Sequence, residues 1–182
     1  NLRTFCGSRT RFIRQFHSTP LTIAGGDTLK AEKIVRSEIP QLVISQYPER
    51  FFPKARLVPN IVPLEDSDYL PSVVDDSLEP VVYFAPSRDE PAWSVQASRS
   101  RWDTKGAKET ETLLRAVITG CCKGKLIVRR DIPHDQCLRE KQGSDIVIDE
   151  MITGSFHLSS LEGLAQGLPT FAFLDARTLD TL

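Results

Sequence analysis

The residues with the clearest chemical potential lie close together near the carboxyl end of the chain. The run Gly154-Ser155-Phe156-His157-Leu158-Ser159-Ser160-Leu161-Glu162 sets a glycine, three serines, a histidine and a glutamate within a single turn and helix start. The amino end of a helix carries unpaired N–H groups and a partial positive charge, so it suits a phosphate or pyrophosphate. Gly154 lets the backbone approach a ligand, and Ser155, Ser159 and Ser160 supply hydroxyl donors. Glu162 lies near the first turn, where its carboxylate can accept hydrogen bonds from a ribose diol. His157 stands beside this loop and can donate to a ligand. Without a ligand, the same residues have a plainer use: Ser159 caps the helix and Glu162 complements its positive end.

Other polar residues carry weaker signals. Asp131 and His134 follow a predicted strand and suit a turn and helix cap, with contact to a nucleobase as the alternative. Asp145 and Asp149 bracket a short apolar run and are expected to serve the ends of that strand. The three histidines, His17, His134 and His157, share no metal-ligand spacing, so no metal is implied and no catalytic residue is assigned. A Walker loop, a Gly-x-Gly-x-x-Gly fingerprint and a Gly-x-Ser-x-Gly elbow are all missing from the sequence.

The elements that would position these groups alternate regularly after Pro80. Val81-Val82-Tyr83-Phe84-Ala85, bounded by Pro80 and Pro86, predicts a strand buried on both faces. Thr104 suits the N-cap of a helix whose apolar face holds Leu113, Leu114, Val117 and Ile118, with Gly120 just past its end. Strands are then predicted at Leu126–Val128, Asp145–Asp149 and Thr170–Leu174. Helices are predicted around Cys137-Leu138, ending at Gly143, and over Leu158–Gln166. This order selects an α/β fold, a Rossmann-like parallel sheet with right-handed crossovers and helices on both faces. Ligands of such sheets sit at the carboxyl ends of the strands.

Before Pro80 the pattern is less regular. Gln41–Ser45 and Ala55–Val58 read as strands of a partial α/β segment. Residues 48–80 hold six prolines and an acidic stretch, so they are expected to be extended and loop-rich. The expected division is a partial segment with its Pro-rich linker over 1–79 and a ligand-binding domain over 80–182.

Several motifs in combination resemble the glycosyltransferases of the GT-B fold. The match to their donor-binding half rests on Gly154, Phe156, Ser160, Glu162, Gly163, Ala165, Gly167 and Pro169. A second match is Phe84-Ala85-Pro86-Ser87-Arg88, followed by Lys105-Gly106. A looser one is Leu57-Val58-Pro59-Asn60, where relatives close the acceptor half. The resemblance implies transfer of a sugar from a nucleoside-diphosphate sugar to an acceptor hydroxyl, with no further cofactor. It puts Glu162 on the ribose and the amides of Ser159 and Ser160 on the diphosphate. Lys105, or Arg88 in second place, would meet the donor phosphates. Gly154 stands where many retaining members carry the first of two glutamates. A degenerate or truncated relative acting as a non-catalytic binding or assembly module is therefore the alternative.

The bulk composition fits either reading. Of 182 residues, 40% are hydrophobic and 26% charged, as in ordinary globular chains. A formal net charge of −1 gives no global attraction to nucleic acid. No apolar run approaches the ~20 residues that a membrane-spanning helix needs. Cys6, Cys121, Cys122 and Cys137 show no Cys-x-x-Cys spacing, which points to free thiols in a reducing cytoplasm. An organelle is the alternative, because residues 1–26 hold Arg3, Arg9, Arg11, Arg14 and His17 with no acid. A chain opening on Asn1 is expected to be a fragment or a processed product.

Overall fold

The computed structural model describes residues 11–71, 79–86, 106–121 and 123–182. The chain forms two compact units, Asn1–Pro59 and Asn60–Leu182.

The first unit contains strand β1 (Arg14–Phe16), helices α1 (Pro20–Ile23) and α2 (Thr28–Val35), and strands β2 (Gln41–Ile44) and β3 (Arg56–Val58). Its sheet is parallel throughout, in the order β1-β2-β3. Asp27 caps α2 by accepting from the Lys30 amide at 3.0 Å. Phe16 and Phe52 stack with their ring centroids 4.2 Å apart, and with Val43 they form a small core under Ile34 and Val35.

The second unit builds the sheet that the alternating pattern demands. Strand β4 is Val81–Phe84, followed by helix α3 (Ala107–Gly120), strand β5 (Lys125–Val128) and helix α4 (His134–Gln142). Strand β6 (Ile146–Ile148), helix α5 (Leu158–Ala165), strand β7 (Thr170–Phe171) and helix α6 (Ala176–Leu179) complete it. All pairs are parallel, and the strand order is β5-β4-β6-β7. The chain steps from β4 outward to β5, then crosses back past β4 to β6. With right-handed crossovers this reversal sends α3 to one face and α4 and α5 to the other. The fold is a Rossmann-like α/β fold, with parallel sheets flanked by helices.

The apolar strands predicted from the sequence form the center of this sheet. Tyr83 and Val147 are wholly buried, and Phe84, Leu138 and Leu168 nearly so. The Tyr83 hydroxyl donates to Cys137 Sγ at 3.2 Å, and burial foremost, then this bond, pushes the phenol above its ordinary range. Asp145 does serve a strand end, accepting from the Val81 amide at 2.6 Å.

The element boundaries depart from expectation in several places, among them both ends of α3 and the end of β7. Gly120 is the last residue of α3, not the residue beyond it, because the Cys121 amide still reaches the Val117 carbonyl at 2.8 Å. At the other end, Gly106 occupies the N-cap position in a left-handed conformation, φ +66°, while Thr104 lies outside the described residues. Strand β7 stops at Phe171, since its partner β6 ends at Ile148. Residues 60–71 belong by packing to the second unit: Gln142 Nε2 donates to the carbonyls of Ser67 and Leu70, and Gln166 Nε2 to that of Asp68. Among the described residues no helix is long and apolar enough to cross a membrane.

Candidate functional site

Reversal of strand order opens a crevice between the carboxyl ends of the two strands flanking it, which here are β4 and β6. A cavity of about 200 Å³ lies there. Its walls are Phe84, Ala85 and Pro86 from the end of β4, Asp149 and Glu150 from the end of β6, and His157, Leu158 and Ser159 at the start of α5.

The loop from β6 to α5 is held by its own carboxylates. Asp149 Oδ2 accepts from the His157 amide at 2.7 Å and from the Ser160 hydroxyl at 2.5 Å. Its Oδ1 faces His157 Nδ1 at 3.7 Å, an ion-pair separation beyond hydrogen-bond reach. Burial pushes the Asp149 carboxyl upward. The His157 ring, the Ser160 hydroxyl and the His157 amide outweigh that effect and hold it below the usual carboxylate range. Glu150 folds back onto its own loop, accepting from the amides of Ile152 at 2.9 Å and Thr153 at 2.7 Å and from the Thr153 hydroxyl.

The predicted site residues divide into two groups. His157 and Ser159 line the cavity. Ser160 is buried beneath it, with its hydroxyl on Asp149. The Ser160 amide already donates to the His157 carbonyl at 3.1 Å, so Leu158 and Ser159 carry the first-turn amides of α5 that precede its hydrogen-bond ladder. Gly154 and Ser155 are buried, and Gly154 meets α6. Gly154 adopts φ +73°, and its carbonyl accepts from the Asp175 amide at 3.0 Å and the Thr178 hydroxyl at 2.7 Å. The close approach that this glycine permits is to Asp175, whose Oδ2 would lie 2.7 Å from an added Cβ. Lys105 and Arg88 lie outside the described residues.

Glu162 faces inward and both of its oxygens are engaged. Lys141 Nζ donates to Oε2 at 2.5 Å, and His134 Nε2 is 2.7 Å from Oε1. The Lys141 side chain is wholly buried and also donates to the Ser159 hydroxyl oxygen at 3.1 Å. His134, expected in a turn and cap, is instead the first residue of α4, with its ring largely exposed.

Lys141 and Asp149 were not among the predicted site residues. Lys141 stands three residues after the buried Leu138, on the inward face of a helix that is otherwise strongly polar. That spacing is the one sequence signal of its position. Asp149 finishes its strand as expected, its amide donating to the Phe171 carbonyl at 2.9 Å, and its carboxylate also holds the His157 amide and the Ser160 hydroxyl at the start of α5. Among the described residues no group of three or more His, Cys, Asp and Glu is placed to hold a metal ion.

No family model and no curated protein matches the chain. Among solved structures it is similar to a sucrose-phosphate synthase from Thermosynechococcus elongatus, at 17% sequence identity and a TM-score of 0.48. The match covers 94% of this chain and 52% of the other, so the chain spans about half the length of that protein.

Proposed function

We propose that the unit Asn60–Leu182 binds a nucleoside-diphosphate sugar and acts as the donor-binding half of a glycosyltransferase, which passes the sugar to an acceptor hydroxyl. The observation that carries this reading is the cavity between β4 and β6, at the point where strand order reverses and beside the start of α5. The diphosphate would rest against the amides of Leu158 and Ser159 and the Ser159 hydroxyl, where fixed dipoles stabilise negative charge on the leaving group. Lys105 and Arg88, on the stretch that follows β4, would add cations. Glu162 would reach the ribose by exchanging His134 for a diol hydroxyl at Oε1, while Lys141 keeps Oε2.

Calorimetric titration with UDP-, GDP- and ADP-glucose tests the reading, with Ala85→Trp as the control that fills the cavity. One donor should bind the native chain and fail to bind the filled variant. Absence of heat with all three sinks the proposal. A second reading, a binding module without catalysis, is favoured by Gly154, which lacks the carboxylate of the resembling family and is closed over by Asp175. Donor binding without donor hydrolysis or transfer by the full-length protein would separate the two.

A further inference from the structure

Asp149 and His157 sit at the two ends of the loop between β6 and α5 and share one wall of the cavity. Asp149 Oδ2 is already occupied by two donors, the His157 amide and the Ser160 hydroxyl. That fixes the carboxylate plane and turns Oδ1 to His157 Nδ1, 3.7 Å away. Nδ1 is sealed from solvent and makes no hydrogen bond, whereas the side chain as a whole keeps 17% of its surface exposed. The accessible part of the side chain is therefore not Nδ1. Glu150, the other carboxylate of the wall, is spent on Ile152 and Thr153, so Asp149 is the acid that faces the ring among the described residues.

A buried anion beside a ring nitrogen favours a proton on that nitrogen, because the other tautomer sets a lone pair against negative charge. We infer that Asp149 is a positioning residue that keeps a proton on His157 Nδ1, so that Nε2 is the atom presented to a ligand in the cavity. Neutral His157 then accepts from a ligand hydroxyl through Nε2. In the imidazolium form the same atom donates to a phosphoryl oxygen. The only proton that moves is the one at Nε2, and Nδ1–H stays in place. The identity of the ligand rests on the donor reading above, while the tautomer does not.

The arrangement makes an unusual demand on Asp149→Asn. The two donors at Oδ2 require an acceptor there, so the asparagine carbonyl must take that position and its NH₂ must face Nδ1. Nδ1 must then accept, and the tautomer inverts. Long-range ¹H–¹⁵N correlation on histidine-labelled protein in mildly alkaline buffer reads this directly, with His157→Gln identifying the signal among the three histidines. The native chain should show Nδ1–H and Asp149→Asn should show Nε2–H. An Nε2–H form in the native chain overturns the inference, and this holds even where the variant fails to fold. An unchanged tautomer in folded Asp149→Asn overturns it equally. Adding UDP-glucose, or whichever of the three donors binds, should shift the Nε2 resonance. Binding without that shift removes Nε2 from the site and leaves the donor reading standing. If none of the three binds, the donor reading falls, and the tautomer alone upholds or overturns the pair.

Discussion

Lys141 Nζ lies 2.5 Å from Glu162 Oε2, with the lysine side chain fully buried and the glutamate 4% exposed. This ion pair joins α4 to α5, and the Tyr83 ring stands 5.9 Å from the same ammonium. Burying two charges costs solvation that their attraction only partly returns, so the pair adds little net stability over a well-packed apolar substitute. Removing one partner is a different matter, since it strands the other charge in the interior.

Lys141→Met should therefore destabilise the fold by about 3–5 kcal/mol, read from the urea midpoint. The double variant Lys141→Met, Glu162→Met should recover most of that loss. A loss in the double variant equal to the sum of the losses in Lys141→Met and Glu162→Met would mean that the pair is not coupled.

The legible and illegible parts of this chain differ in where their information lies. Val81–Phe84 and Ile146–Ile148 were readable as central strands because a strand buried on both faces must be apolar at every position. His157 and Ser159 were readable as residues of the cavity wall because a strand followed by a glycine turn and a helix start fixes them locally. Glu162 was readable as important but not in its partners. Its oxygens meet Lys141 and His134 on a different helix, and a lysine in the run His134–Gln142 looks like any solvated lysine until the helix is docked. Asp149 was hidden for the same reason, since its role appears only once the loop returns the His157 amide to it.

Glu111 makes a second testable network, this one nearer the surface. Its Oε1 accepts from Arg115 Nη2 at 2.7 Å and its Oε2 from Arg130 Nη2 at 2.7 Å, tying α3 to the segment after β5. The two guanidinium groups, Arg130 first, hold the carboxyl below its ordinary range. Glu111→Gln should cost about 1 kcal/mol in low salt and less in high salt. A loss independent of salt would show that the contribution is packing and not charge.

Asp149 gives a pH dependence with a definite sign. Its folded carboxyl is held below the unfolded value, near 3.9 for an ordinary aspartate. The stability it supplies is therefore fully present above that unfolded value and is lost as pH falls through the lower folded one. Urea unfolding of the native chain and of Asp149→Asn at a series of pH values should show a gap that is constant near neutrality and narrows in acid. A gap that widens in acid would contradict the assignment.

Gly163 shows how closely α5 rides on the sheet, and so how firmly the site is held. A Cβ at this position would lie 2.6 Å from Thr170 Oγ1 and 3.1 Å from Val147 Cγ2. Val147 is wholly buried, and the Thr170 hydroxyl already donates to the Leu168 carbonyl, so neither neighbour moves freely. Gly163→Ala should lower stability by roughly 1–3 kcal/mol through overpacking, although alanine is the better helix former by about 1 kcal/mol. Gly120→Ala isolates that second effect: nothing lies within 4 Å of its added Cβ, so it should stabilise by up to about 1 kcal/mol. The consequence for function is specific. Lifting α5 from β6 would separate His157 and Ser160 from Asp149, so Gly163→Ala should weaken donor binding while Gly120→Ala leaves it unchanged. Equal binding by both variants would show that the cavity tolerates movement of α5, and that the contacts of Asp149 do not set its shape.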